Sequence, residues 1–392
     1  MRPLEGITVV SLEHAVAAPF ATRQLADLGA RVIKIERPDG GDFARGYDSA
    51  VKGLSTYFVW LNRSKESLTL DLKRPEAGDV LARLLERADV FVQNLAPGAA
   101  ERLGTDAGRL RRRLPRLIVC NVSGYGSSGP YARKKAYDML VQSEVGLLSI
   151  TGSADAPAKV AISIADIAAG MYAYSSVLAA LLARARTGGG TTIEVSLFDA
   201  LAEWMSQPAY QAAYTGAAPR RSGAHHATIA PYGPFRCADG RDIFFGIQNP
   251  REWTRFCADV LLQPAVADAA RFSTNATRVE HRPALHAVID GVFRTLTQEE
   301  AIDRLDRAQI AWAAMNGVTE FVRHPQLVER GRWCTIDSPA GALQALVPPA
   351  AIEGVEPVMG AVPALGAHTD AILADLGFPA RIVGAWRKEG VI

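Results

Sequence analysis

No two cysteines in this chain are spaced for shared chemistry. The 392 residues hold four, Cys120, Cys237, Cys257 and Cys334, with no C-x-x-C and no histidine at metal-ligand spacing. That pattern argues against a disulfide scaffold or a zinc-ribbon site. They read as buried or free thiols of a reducing cytoplasm. An excess of charge is missing too: 43 basic and 41 acidic residues leave a formal net charge of +2. This is too little for the field that nucleic acid or an anionic membrane surface requires, so an anionic ligand must be met by local groups. No secretory leader is visible, because Met1 to Gly6 runs straight into the strand-like Ile7–Val10, and a cytoplasmic protein is expected. The nearest thing to a membrane span, residues 167–183, is rich in Ala, Gly and Ser and reads as a buried helix. Walker loop and G-x-S-x-G elbow are both absent. The seven histidines are scattered except for His225-His226, and adjacent residues do not point at one ion, so no metal set emerges.

What is present is length, and 48% hydrophobic residues with which to bury a core. The chain is long for one ordinary domain, so two lobes are expected. In the first half strands and helices alternate: strand 7–11, helix 19–28 with Pro19 in its first turn and Gly29 past its end, strand 31–36, strand 67–72, helix 75–87, strand 89–93, a short basic helix at 106–113 and strand 117–122. A helix then starts near Asp166, followed by a strand at 191–197 and a helix from 198. Such alternation predicts an α/β lobe with a parallel sheet covered on both faces. The Pro- and Gly-containing stretch around 206–229 reads as a linker. A hairpin-like pair, 232–237 and 242–246, opens a smaller α+β lobe that is mostly helical to about 320.

Gly124-Tyr125-Gly126-Ser127-Ser128-Gly129 matches G-x-G-x-x-G in letters. The dinucleotide fingerprint belongs to the first βα turn, however, and that turn here is Ser11 to Pro19, without glycine. The NAD reading is therefore rejected. Arg37, directly after the second strand, suits a phosphorylated nucleotide by charge-assisted pairing. Asp71-Leu72-Lys73-Arg74, Asn94-Leu95-Ala96-Pro97-Gly98 and Arg102 also fall at strand ends, on the rim where doubly wound sheets bind ligands. Arg111-Arg112-Arg113 reads as a solvated helix face.

Asp166 closes the run Ala161-Ile162-Ser163-Ile164-Ala165 and opens a long helical segment. Two readings stand for it. One is an N-cap, where Asp is preferred. The other is a carboxylate nucleophile aimed out of a strand-to-helix turn, with backbone donors near the helix start after Ala165 serving developing oxyanions.

In this order the pieces resemble the family III CoA-transferases, the group of formyl-CoA and carnitine CoA-transferases. The resemblance runs from Pro3-Leu4-Glu5-Gly6 through Gly29–Pro38, Asn62-Arg63-Ser64-Lys65, Leu70–Lys73, Asn94–Gly98 and Ser123–Gly126 to Leu365-Gly366-Ala367-His368-Thr369. It implies a Rossmann-like large domain in residues 1–205, a linker at 206–229, a small domain at 230–325, and a linker with C-terminal return to the large domain at 326–392, in an interlocked homodimer. It implies Asp166 as the catalytic aspartate. It implies coenzyme A as co-substrate, with no tightly bound cofactor, held by His14, Val16, Ala17, Arg37, Leu70, Asp71, Leu72, Lys73, Asn94, Leu95, Arg102, Lys134, Lys135 and Tyr137. The reaction it implies moves CoA from a donor acyl-CoA such as succinyl-CoA to a short carboxylate or dicarboxylate such as itaconate, through an aspartyl-CoA thioester. A 2-methylacyl-CoA racemase, whose relatives carry His where this chain has Tyr137, and a catalytically dead CoA-binding protein are the alternatives. Acceptor contacts are expected from Arg45, His225, His226 and Tyr137.

Overall fold

Strands buried on both faces organise the larger of two units into which the chain divides. The computed structural model describes residues 1–392. One unit comprises 1–145, 160–206 and 327–392, the other 146–159 and 207–326. Along the first part of the chain lie β1 (Thr8–Leu12), α1 (Ala17–Asp27), β2 (Arg31–Glu36), α2 (Thr56–Asn62), β3 (Lys65–Thr69), α3 (Glu76–Arg87), β4 (Val90–Gln93), α4 (Ala99–Leu103), α5 (Ala107–Arg113), β5 (Ile118–Ser123) and α6 (Asp138–Glu144). Then come α7 (Leu147–Ile150), α8 (Ile164–Thr187), β6 (Thr192–Ser196), α9 (Leu197–Trp204) and α10 (Ser206–Thr215).

The sheet order is β3-β2-β1-β4-β5-β6, and every pairing is parallel. That is a doubly wound sheet whose order reverses between β1 and β4, which makes the carboxyl ends of those two strands the natural crevice. Val9, Val10, Val90, Phe91, Ile118 and Val119 are fully buried, as continuous apolar strands covered on both sides must be. α3 lays Val80, Leu81, Leu84 and Leu85 against one face in a 3–4 spacing. The C-terminus completes the same core: Ile372, Leu373, Val391 and Ile392 join Leu68 and Leu70, and the Asp71 N–H donates to the Val391 carbonyl at 2.7 Å.

β3 covers residues 65–69, starting two and ending three residues earlier than the 67–72 expected. The hydrophobic pattern misplaced its start because Lys65 is polar yet buried, held by the Glu13 carboxylate across the fold. Leu70–Lys73 consequently lies beyond the strand, on the ligand-binding rim. α8 likewise starts at Ile164 and runs to Thr187, longer at both ends than the 167–183 segment. By length and composition it could cross a membrane. One face packs on α1, with Ala165, Ala168, Ala169, Gly170 and Ala173 buried, while Met171 and Leu182 on the other are exposed. The stretch expected as a linker opens with α10.

The second unit carries the expected hairpin as β7 (Tyr232–Arg236) and β8 (Asp242–Gly246), and a third strand, β9 (Trp312–Ala314), pairs antiparallel with β8. Helices cover it around a cluster of stacked rings, Phe235 on Phe245 at 4.8 Å and Phe245 on Phe256 at 5.0 Å. Back in the first unit, β10 (Trp333–Ile336) and β11 (Leu343–Leu346) form a separate antiparallel pair.

Candidate active site

The site is built where α8 begins. Its N-cap residue, Ser163, makes no side-chain cap. The Asp138 carboxylate, reaching across from the first turn of α6, does so instead: its Oδ1 accepts from the Ala165 N–H at 2.7 Å and the Asp166 N–H at 3.3 Å. Asp166 sits one position further in, with its own backbone capped by another residue. The N-cap reading of Asp166 is thereby set aside, because the group it would satisfy is already satisfied. A second expectation fails for the same reason. All four leading N–H groups of α8 are engaged, Ile164 on the Ile162 carbonyl, Ala165 and Asp166 on Asp138, Ile167 on the Ser163 carbonyl, so they are not free to bind an oxyanion.

The Asp166 carboxyl is partly accessible but set in a shell of protein. Burial and the facing Asp138 carboxylate both disfavour its charge and push it up to about 7. Gly170, one turn on, fixes the helix's approach to α1: a Cβ there would lie 2.7 Å from the Ala17 carbonyl oxygen and 2.9 Å from the Phe20 ring. A glycine is needed at that crossing. It draws the start of α8 towards the opening of α1 and thus towards the sheet's reversal point.

At that point the β1–α1 loop is pinned. The His14 N–H donates to Asn94 Oδ1 at 2.9 Å, and Asn94 Nδ2 returns a bond to the His14 carbonyl at 2.9 Å, tying the end of β4 to the end of β1. Ala15 takes φ +61, and its N–H donates to Asp42. The His14 ring stacks on Phe43 at 5.2 Å, Phe43 meets Tyr47 at a tilt at 5.9 Å, and Tyr47 meets Tyr57 edge-on at 5.4 Å. Burial first, then the charges of Asp42 and Asp166, raise the Tyr47 phenol to about 12, so this aromatic row lies within electrostatic reach of Asp166. α1 opens with no side-chain cap at Val16 and no acidic residue in its first turn, leaving Val16 and Ala17 at a helix N-terminus suited to phosphate.

Under the loop lies a cluster the sequence reading missed. Lys34 donates to Asp42 at 2.7 Å, Lys65 to Glu13 at 2.7 Å, and all four side chains are buried. Burial works against its charge, but Lys65 and Lys34 hold the Glu13 carboxyl below the usual range. The signal available was a lysine in the middle of Val32-Ile33-Lys34-Ile35, where a buried strand has no use for a charge unless it is paired.

The remaining candidates fall as follows. Arg37 is half exposed and touches only the Gly41 carbonyl, at 3.3 Å, and Asp39 at 4.0 Å. Lys73 is exposed on the loop beyond β3, and Arg102 is exposed in the last turn of α4, the short helix after β4. Leu70 is 1% exposed and belongs to the core, so it offers a ligand its backbone and not its side chain. Leu72 and Leu95 are partly buried against that core. Lys134 is ion-paired with Glu144 and lies 4.2 Å over the Tyr131 ring, while Lys135 is exposed. Tyr137, the residue before Asp138, is 70% exposed. Arg45 differs from expectation: both its arms are spent on Glu36, at 2.8 Å each, and it stacks 3.7 Å over Phe58. Although burial opposes, Arg45 holds the Glu36 carboxyl at about 2, and Arg45 is an internal strut and not a free cation for the acceptor. His225 and His226 lie in the second unit, His225 beside His286 at 4.5 Å in a cavity of ≈ 540 Å³ and His226 stacked on Tyr232. No group of three or more metal-binding side chains converges anywhere in the described residues, which are the whole chain.

The description of CoA-transferase family III matches residues 4–369. A succinate–glutarate CoA-transferase of Agrobacterium fabrum is 33% identical, over 95% of this chain and 96% of its own. The human succinyl-CoA:glutarate CoA-transferase is 30% identical, over 100% of this chain and 90% of its own. Among solved structures, a CAIB/BAIF family protein from Brucella suis superposes with a TM-score of 0.84 at 31% identity, covering 96% of this chain and 99% of that one.

Proposed function

The chain belongs to CoA-transferase family III and is a CoA-transferase, and from its site we propose that Asp166 carries the transfer as a covalent nucleophile. The observation that carries the reading is the freed Asp166: excused from capping by Asp138 and poised near neutrality, it has no structural task to perform. An Asp166 oxygen attacks the thioester carbonyl of the donor, expelling CoA thiolate and leaving an acyl–aspartyl anhydride. The thiolate attacks the aspartyl carbonyl carbon, the C–O bond breaks, and the donor acid leaves as its carboxylate. The resulting β-aspartyl–CoA thioester is attacked by the acceptor carboxylate, which expels the thiolate again. The thiolate then takes the acceptor's acyl carbon and returns Asp166 as a carboxylate. One thioester is broken and one is made, so the exchange is nearly balanced in energy.

Both covalent states hydrolyse if water enters, which fits a carboxyl enclosed by protein. CoA would lie along the rim, its phosphates towards the uncapped start of α1, where Val16 and Ala17 are buried and offer backbone only, and its phosphorylated ribose on Arg37 with Lys73 and Arg102, while His14, Asn94 and Leu95 shape the crevice. Relatives named for succinyl-CoA with glutarate, D-citramalate or mesaconate support succinyl-CoA as donor and a short dicarboxylate as acceptor. Exposed apolar residues in each unit, among them Met171, Leu182, Tyr210 and Tyr214, support a homodimer.

Peptide mass spectrometry after incubation with succinyl-CoA tests the nucleophile. A CoA-sized adduct is expected on the peptide containing Asp166, removable by hydroxylamine and absent from Asp166→Ala. Transfer by that variant at the wild-type rate would overturn the reading.

A further inference from the structure

Resting on the nucleophile reading of Asp166, we propose that Asp138 is its positioning residue. Its carboxylate supplies the cap that α8 lacks, fixing where the Asp166 side chain leaves the helix, and its charge favours the covalently substituted, uncharged Asp166 over the free carboxylate. Both oxygens of Asp138 are committed. Oδ1 holds the Ala165 and Asp166 amides, and Oδ2 accepts from Gln142 Nε2 at 2.7 Å. Gln142 is fully buried, and its Oε1 in turn accepts from the Val160 N–H at 3.0 Å. The chain entering α8 is thus stitched to α6 from two sides, and a carboxylate fixed this way cannot turn away from Asp166.

The electrostatic consequence follows from the reaction steps. Free Asp166 is an anion facing the Asp138 anion, whereas in the anhydride and in the β-aspartyl–CoA thioester Asp166 is neutral. The repulsion therefore exists only in the free enzyme, and forming the C–S bond at the aspartyl carbonyl with loss of the donor carboxylate keeps it relieved. Other acidic groups on the elements packed against α8 have partners: Glu144 of α6 pairs with Lys134, Asp27 of α1 with Arg23, Asp199 of α9 takes the Ser196 hydroxyl, and Glu194 of β6 accepts from Asn121. Glu203 of α9 and the phenols of Tyr47 and Tyr137 complete the titratable groups on that side, as does Cys120 of β5, whose thiol burial pushes up to about 12. Asp138 is the charge that acts on Asp166.

Asp138→Asn keeps an oxygen for the helix amides and removes the charge; Asp138→Ser keeps a hydroxyl cap and provides a second uncharged variant should the first not fold. In a folded variant we expect KM for succinyl-CoA to stay within about threefold and kcat to fall by about tenfold or more. The fraction of enzyme trapped as the Asp166–CoA adduct should drop, and the acid limb of kcat/KM should move to lower pH, because burial still raises Asp166 but the facing charge is gone. A folded, uncharged variant with wild-type trapped fraction and an unmoved acid limb would overturn the proposal. Absence of any adduct on Asp166 in the wild-type enzyme would instead overturn the nucleophile reading, so the two failures are distinguishable.

Discussion

Two groups of carboxylates, one buried and one partly buried, are treated in opposite ways. Under the β1–α1 loop, Glu13, Asp42 and Glu36 each face a cation, Lys65, Lys34 and Arg45, at 2.7–2.8 Å. At the start of α8, Asp166 faces another carboxylate, and both influences on it, burial and Asp138, raise it. The first arrangement is how a fold holds charge for shape. The second keeps a carboxylate uncomfortable, as the proposed nucleophile requires.

The largest effect that would break this contrast concerns activity. Asp166→Asn is expected to cost on the order of a thousandfold or more in kcat with a native circular dichroism spectrum, because no neighbouring group can form the anhydride. Retained turnover would place Asp166 with the structural carboxylates. On the other side, Lys34→Met should leave Asp42 and Glu13 short of a buried partner and cost ~3–5 kcal/mol in urea unfolding. A loss within error of zero would mean that the paired cluster does not hold the loop.

Asp166 should also announce itself in stability. Its folded value of about 7 lies above the ordinary 3.8, so between those values the folded state binds the extra proton and stability falls as pH rises. Asp166→Asn removes that dependence. The variant should match the wild type near pH 4 and exceed it above pH 7, by about 1–3 kcal/mol after allowance for partial solvent access. A capping aspartate would give the opposite sign, and melting curves at the two pH values read the difference.

The smallest of these effects belongs to Arg37, exposed on the rim with the Gly41 carbonyl and Asp39 as its partners. Arg37→Ala should weaken CoA binding by ~1.5–3 kcal/mol and dephospho-CoA binding by less, as calorimetry would register. Equal losses for both would remove the nucleotide phosphate from Arg37.

How much of this was legible in the sequence divides along the same line. The alternating elements of the sheet and the position of Asp166 were readable because apolar strands and turn residues are local signals. The start of β3 slipped by two residues because Lys65 is buried only through a partner 52 residues away. Arg45 was read as free because Glu36, nine residues earlier, turns inward to meet it. The role of Asp138 as the cap of a helix 27 residues downstream is a fact of tertiary structure alone. Composition made α8 a buried helix, whereas part of its apolar surface faces outward.

The most direct measurement follows an oxygen atom. If the acceptor carboxylate attacks the aspartyl–CoA thioester, its oxygen becomes the bridge of the second anhydride and stays on Asp166 when the thiolate takes the acceptor's acyl group. With an acceptor dicarboxylate labelled with oxygen-18, peptide mass spectrometry after a single turnover should find one heavy oxygen on the peptide containing Asp166, and later turnovers should carry it into the released donor acid. An unlabelled Asp166 peptide alongside completed transfer would contradict the account.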